Sequence, residues 1–446
     1  MPGAKLDLST ARTCVRGQFN AGQACQSVAG DCAGMKMKPE PVISMAMTGT
    51  VRETTPKETL ARITPIAKQL GITRLANLTG LDQVGVPVWM AVRPLARSLT
   101  VSQGKGLTDE LSKCSALMEG IEIYHAEHVV PDGVELPLSA YRHDSTFINP
   151  ELLPRAEPSL PADDPILLWV QARDLASGER RWIPHELFAL DATKRRIRPA
   201  VFITSSNGLA SGNTREEAVL HGICEVVERD QVAFWLQRDM QFPRPPSKVI
   251  LGSVEDPGCR AIIDRCAEIG LDLHVWSATV DIGLPVFWAV AADGSGNTHF
   301  PHRAIGSGCH PCKAIALSRA LTEALQIRLS NISGVRDDIG WLQYRNDVVR
   351  CPADWIMEVR NRQETVDFRA VEDACCPQSV PVLLDHLQNT LRLAGVKEIL
   401  AVDLTQESIG IPVVFICIPG LGSPLRRPTL SREKPETIAI NGGVKS

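Results

Sequence analysis

At 446 residues, with 44% apolar and 22% charged side chains and a formal net charge of −4, the chain has an ordinary globular composition and length enough for two or three lobes. The near-neutral balance excludes a global pull toward nucleic acid or anionic membrane, so any anion site must be local. Thirteen cysteines are scattered along the chain, MPGAKLDLST has no secretory apolar core, and no apolar run approaches the ~18 residues of a spanning helix; this reads as a reduced cytoplasmic protein that binds neither membrane nor nucleic acid.

Residues 1–43 are rich in Gly, Ala, Ser and Gln without a period and read as a poorly ordered N-terminal extension. Its Cys14, Cys25 and Cys32 lack the close pairing that zinc wants. Order is expected from Arg52. Thr55-Pro56-Lys57-Glu58 supplies an N-cap, a proline at the first helical position and a capping-box glutamate, opening a helix that runs to about Leu70 and stops at Gly71. A strand at Val86 to Val92, a loop at Ser102-Gln103-Gly104-Lys105-Gly106 and a helix from Thr108 to His128 follow.

The proline-rich stretch Glu151 to Pro165 is expected on the surface. After it come a strand at Ile166 to Gln171, a turn at Ser205-Ser206-Asn207-Gly208, a helix from Thr214 to Leu236 and a break at FPRPPSK. A third segment holds a helix at Arg260 to Ile269, strands at Leu271 to Thr279 and Leu284 to Ala292, and a long helix from Lys313 to Ile332. A helix at Val382 to Ala394 and strands at Glu398 to Leu404 and Pro412 to Ile418 close the pattern. The mixture predicts an α+β (mixed α/β) fold rather than a regular βαβ array, with lobes at about 44–150, 166–240 and 258–430 and a tail at 431–446.

Three helices carry polar stripes at helical spacing: Ser115, Glu119 and Glu122; Glu217, His221, Glu225 and Glu228, with Arg229 alongside; and Arg319, Glu323 and Gln326. Each could be a solvated face. On the second helix, however, Val219, Leu220, Ile223, Val226 and Val227 fill much of the remaining circumference, so its carboxylates need a counter-charge. Glutamates gathered in a cleft raise one another's pKa or recruit cations. Mg2+ suits such ligands, and because it is seldom fully caged by protein, nucleotide phosphates would complete it. Arg52, Lys105, Arg229 and Arg319 are candidates for the phosphate oxygens. No Walker A loop and no Gly-x-Gly-x-x-Gly after a strand is present, which disfavours a P-loop or Rossmann enzyme.

Gly104-Lys105-Gly106 with Ser115-Ala-Leu-Met-Glu119-Gly-Ile-Glu122, then Ser206-Asn-Gly-Leu-Ala-Ser-Gly-Asn213 running into Glu217 and Glu225-Val-Val-Glu228-Arg229-Asp230, then Gly308-Cys-His-Pro311 through Arg319-Ala-Leu-Thr-Glu323-Ala-Leu-Gln326 to Gly334-Val-Arg-Asp-Asp338, resemble the three signatures of the YcaO family. The resemblance covers about residues 45 to 430. It implies a YcaO domain over 44–430 with ATP in a central cleft and Mg2+ clamped by Glu119, Glu122, Glu225 and Glu228. It further implies nucleotide contacts from Arg52, Thr59, Lys105, Ser115, Glu217, Arg229, Arg319, Glu323 and Gln326, and a homodimer. Ile123, Ala210 and His221 depart from the residues often found there.

The implied chemistry is ATP-dependent activation of a peptide or protein backbone amide, with no covalent enzyme nucleophile. The chain ends in KPETIAINGGVKS rather than a Pro-x-Pro-x-Pro tail, which disfavours the usual azoline-forming cyclodehydratase. The Gly-Cys-His-Pro and Gly-Val-Arg-Asp-Asp blocks resemble the thioamide-forming branch, which takes external sulfide and often a TfuA-like partner. A non-catalytic leader-peptide or substrate-binding partner, and a kinase-like enzyme with a small acceptor, are the competing readings. Cys309-His310-Pro311-Cys312 could be a metal pair or a sulfur-handling thiol, but a single pair behind glycines favours structural cysteines at a tight turn; Cys375-Cys376 reads as incidental.

Overall fold

The computed structural model describes residues 45–47, 49–157, 159–194, 198–241, 247–293, 303–338, 361–373 and 379–421. The expected extension at 1–43, the tail at 431–446, the FPRPP break and Cys375-Cys376 lie outside them. All described residues belong to one unit, residues 42–446.

Among the described residues six helices carry the fold: α1 (Pro56–Gln69), α2 (Asp109–His128), α3 (Arg215–Gln241), α4 (Pro257–Glu268), α5 (Lys313–Ser333) and α6 (Val380–Leu393). The capping box forms as the sequence dictates, with Thr55 N–H donating to Glu58 Oε2 (3.0 Å) and Glu58 N–H to Thr55 Oγ1 (3.2 Å). Gly71, at φ +83°, turns the chain out of α1. Thr108 caps α2, whose first turn carries Asp109 and Glu110 against the helix dipole.

The described strands form a β1–β2 pair (Met45–Met47, Thr50–Arg52) and three larger sheets. The first is β3-β4-β5 (Arg74–Asn77, Val88–Val92, Val101–Lys105). The second has the order β6-β7-β15-β16-β9 (Gly133–Pro137, Ile166–Asp174, Leu400–Asp403, Val413–Cys417, Leu209–Ser211), with β8 (Arg180–Pro184) also on β7. The third has the order β13-β12-β11-β10-β14 (Arg303–Cys309, Val286–Asp293, Leu271–Ser277, Lys248–Ile250, Glu364–Asp367). Every pairing among these strands is antiparallel except β10 with β14. The second sheet draws strands from all three of the segments that the sequence separates near 150 and 258.

Sheets and helices alternate around one centre. α1 and α2 bury Ile63, Ala116 and Ile121 against the second sheet, where Trp169 and Val413 meet them. The other face of that sheet, through Val414 and Ile416, packs on Val219 and Ile223 of α3 and Leu383 and Leu387 of α6. The same helices cover Trp288 and Val290 of β12, while Phe287, Ala289 and Ala291 point the opposite way onto α4 and α5. Both faces of β12 are therefore buried, which is why its sequence is apolar without alternation. Leu329 of α5 then packs on Val88 and Met90 of the first sheet, which touches α2 as well.

Two expectations are overturned. Ser102 to Lys105 is strand β5 rather than a loop, and the glycines before Cys309 lie in strand β13 rather than in a tight turn. In both places glycine serves close packing. A Cβ on Gly104 would overlap the backbone of Ser112 and Ala116, and one on Gly308 the backbone of Ala316. Element ends also shift, most at α3, which runs five residues past Leu236 to Gln241.

Candidate active site

The polar stripes of α2, α3 and α5 are not solvated faces: they converge on a cavity of about 510 Å3. Ser115, Glu119 and Glu122 line it from α2, Glu217, His221, Glu225, Glu228 and Arg229 from α3, and Arg319, Glu323 and Gln326 from α5. Arg52 on β2, Thr59 on α1 and Lys105 at the end of β5 complete the sequence-nominated set lining the same cavity.

Burial governs the charges. It pushes Glu119 up to about 7, against the Gln103 amide, Lys105 and Arg336, and Glu122 up to about 8, with the Ser211 hydrogen bond opposing and Glu119 and Glu225 adding repulsion. Glu225 rises to about 7 by burial, opposed by Arg229 and reinforced by Glu228. Glu323 behaves otherwise. Burial pushes its pKa up, but Lys105, with Nζ 3.4 Å from Oε2, and then Arg229 and Arg319 hold it below the ordinary value. Burial and Arg319 drive His221 well below the usual imidazole range. Arg319 Nη2 lies 3.3 Å from its Nε2, which as a neutral acceptor takes that N–H.

Backbone amides fix the carboxylates. Gln103 N–H donates to Glu119 Oε2 (3.0 Å), and Ser211 donates both N–H (2.9 Å) and hydroxyl (2.6 Å) to Glu122 Oε1. Glu228 accepts the Ser307 hydroxyl on Oε1 (2.7 Å) and Cys309 N–H on Oε2 (3.1 Å), with Arg319 Nη2 at 3.9 Å.

Near the start of α3, Glu217 accepts Glu53 N–H (2.6 Å) and Asn213 N–H (2.9 Å) and lies 3.8 Å from Arg52. The Thr59 hydroxyl donates to Asn213 Oδ1 (2.9 Å). Glu217 and Thr59 thus hold the Asn213 turn as well as lining the cavity.

Sequence reasoning left four participants unassigned: Gln103, Ser211, Asn213 and Arg336. Arg336 lines the cavity while Asp338 holds its Nε (2.8 Å) and Nη2 (2.6 Å) in a fork, and Asp337 ties the same loop to Thr100 through N–H (2.9 Å) and Oγ1 (2.6 Å). The signal was present in Gly334-Val-Arg-Asp-Asp338, where one arginine precedes two carboxylates. Cys309 and Cys312 are buried, at the end of β13 and the N-cap of α5.

Among the described residues no three His, Cys, Asp or Glu side chains gather closely enough to enclose a metal by themselves. Carboxylates spread over two helices and raised in pKa by burial, in one cavity with Lys105, Arg229 and Arg319, fit Mg2+ shared between protein and phosphate oxygens. Arg319 Nε and Gln326 Oε1 are buried without a hydrogen-bond partner among the described residues, leaving a donor and an acceptor for a ligand. No described helix is long and apolar enough to cross a membrane.

Residues 103–422 match the family model described as "YcaO cyclodehydratase, ATP-ad Mg2+-binding". A protein encoded in the tfuA 3' region of Rhizobium leguminosarum bv. trifolii is 33% identical over 380 residues, 83% of this chain and 88% of that one. Among solved structures, a heterocyclase in complex with substrate and cofactor superposes with a TM-score of 0.70 at 23% identity, over 87% of this chain and 55% of the heterocyclase. The YcaO of Methanopyrus kandleri bound with AMPPCP and Mg2+ superposes with a TM-score of 0.64 at 22% identity, over 84% of this chain and 93% of that one. The chain belongs to the YcaO family of ATP- and Mg2+-binding enzymes.

Proposed function

We propose that this enzyme activates a backbone amide of a peptide or protein by Mg2+- and ATP-dependent O-phosphorylation and converts it to a thioamide with external sulfide, acting in the cytoplasm as a homodimer beside a TfuA-like partner. The observation that carries the reading is the meeting of Glu119, Glu122, Glu225 and Glu228 with Lys105 and Arg319 in one cavity. An amide oxygen cannot leave as hydroxide. When bound, Mg·ATP supplies the phosphoryl group that lets it leave as phosphate.

The four glutamates hold the metal; Lys105, Arg229, Arg319 and Arg52 meet phosphate oxygens; Ser115, Thr59, Glu217, Glu323 and Gln326 complete the nucleotide side. Sulfide adds to the carbonyl carbon, the oxyanion so formed takes the γ-phosphoryl group, and the C–O bond breaks to release phosphate. Amide, sulfide and ATP thus become thioamide, ADP and phosphate. Positioning and charge neutralisation are the protein's contribution.

The relative from the tfuA 3' region supports thioamidation with a TfuA-like partner. Azoline formation is the second reading, favoured by the likeness to a heterocyclase and the family description. One assay separates them: candidate precursor peptide, Mg·ATP and sulfide, with and without a TfuA-like protein, read by mass spectrometry. Exchange of oxygen for sulfur raises the peptide mass, and cyclodehydration lowers it by one water. A water-loss product formed without sulfide refutes thioamidation.

A further inference from the structure

The three cavity helices share one register with the strands before them. β5, β9 and β13 end at Lys105, Ser211 and Cys309. From each strand end, 10 residues lead to Ser115, His221 or Arg319, 4 more to Glu119, Glu225 or Glu323, and 3 more to Glu122, Glu228 or Gln326. The close strand–helix crossing recurs as well. Glycine supplies it on the strand at Gly104 and Gly308, whereas in the middle unit the helix supplies it at Gly222, where an added Cβ would fall 2.6 Å from Cγ1 of Ile416 on β16 and 3.0 Å from the carbonyl oxygen of Gly208, just before β9.

Among the described strands, β5, β9 and β13 are also the edge strands of their three sheets. An edge strand leaves backbone N–H and C=O groups unpaired, and buried ones need partners. The last position of each unit supplies one to the next unit. Glu122 clasps Ser211, and Glu228 clasps Cys309. Gln326 Nε2 donates to the carbonyl of Gln103 on β5 (3.3 Å), so the third unit returns to the first.

This third link runs in the opposite chemical sense, and the register of β5 shows why. Arg93 N–H donates to Thr100 O, so in the alternating antiparallel ladder Gln103, opposite Met90, turns both backbone groups away from β4. Its N–H is taken by Glu119 of its own unit, which leaves a carbonyl needing a donor. Glutamine can give one; an ionised glutamate cannot.

We propose that Gln326 is a positioning residue that closes this ring, holding Gln103 by its carbonyl so that the Gln103 N–H keeps Glu119 aimed into the cavity. Only the metal role of Glu119 rests on the proposed function; the clasp is a property of the protein alone.

The test is hydrogen exchange on the nucleotide- and metal-free protein for Gln326→Met, Gln326→Glu, Glu122→Ala and Glu228→Ala, resolved over residues 101–106, 207–212 and 305–311. Both Gln326 variants should speed exchange at Gln103 by roughly fivefold or more, the scale of one lost hydrogen bond, with glutamate the worse because it repels the carbonyl. The other two edges should stay at wild-type rates. Glu122→Ala should loosen only residues 207–212, and Glu228→Ala only residues 305–311. In the two Gln326 variants the half-saturating Mg2+ concentration should rise by a similar factor with the peptide KM unchanged. Unchanged exchange at Gln103, or equal loosening of all three edges, overturns the proposal, as does lost ATP affinity with β5 still protected. If the protein binds no Mg·ATP, the exchange pattern alone decides the clasp while the proposed function fails.

Discussion

Replacing Glu122 with glutamine should flatten the pH dependence of stability. Burial raises this carboxyl from an ordinary 4.5 to about 8. The folded state therefore binds a proton that the unfolded chain has released, and the stability this gives is complete below pH 4.5 and lost as pH rises through 8. Between pH 6 and pH 8 the loss from this one group is about 2 kcal/mol. Histidines held neutral by burial, such as His221 and His310, act with the opposite sign near pH 6.5, so the informative quantity is the difference between wild type and Glu122→Gln, in which they cancel. Removing the Glu122 charge also relieves Glu119, which shifts the difference in the same direction. Urea unfolding of the metal-free proteins at pH 6, 7 and 8 should show the wild type losing about 2 kcal/mol relative to the variant. Parallel stability curves would refute the argument. Mg2+ with a nonhydrolysable ATP analogue should stabilise the wild type more at pH 8 than at pH 6, since metal and proton compete for the carboxylate.

Glu119→Gln and Glu228→Gln should each abolish ATP-dependent turnover while circular dichroism stays that of the folded protein; wild-type ATP hydrolysis and peptide modification by both would remove these residues from the metal site. Arg319→Ala should weaken nucleotide binding more than peptide binding in calorimetric titrations, because its guanidinium sits beside Glu228 and His221 with Nε unpaired among the described residues and available to a phosphate oxygen. Gly308→Ala should cost about 1–3 kcal/mol in urea unfolding, through overpacking where β13 presses on α5, whereas Gly252→Ala, with open space around it, should be nearly neutral. Equal midpoints for the two glycine variants would contradict the close-packing account.

The site was legible because helical periodicity is local. Glutamates four and three residues apart share a helix face whatever surrounds it, and the apolar flank of α3 excluded full solvation of its stripe. The capping box at Thr55 and Glu58 is equally local, and it formed as read. The alternate sides of β12 show the limit. An unbroken apolar run announces a strand buried on both faces, but not that Trp288 meets α3 and α6 while Phe287 meets α4 and α5. Ser102 to Lys105 and the glycines before Cys309 read as loop and turn because glycine is a weak strand former in isolation. Only the neighbouring helices, lying too close for a side chain, make glycine the fitting residue there. Likewise, the side chains that recur at matching intervals after Lys105, Ser211 and Cys309 can be read directly from the chain. That Glu122 reaches Ser211, Glu228 reaches Cys309 and Gln326 reaches back to Gln103 was decided by tertiary structure, because each clasp spans residues far apart in the chain and depends on which strands the sheets leave at their edges.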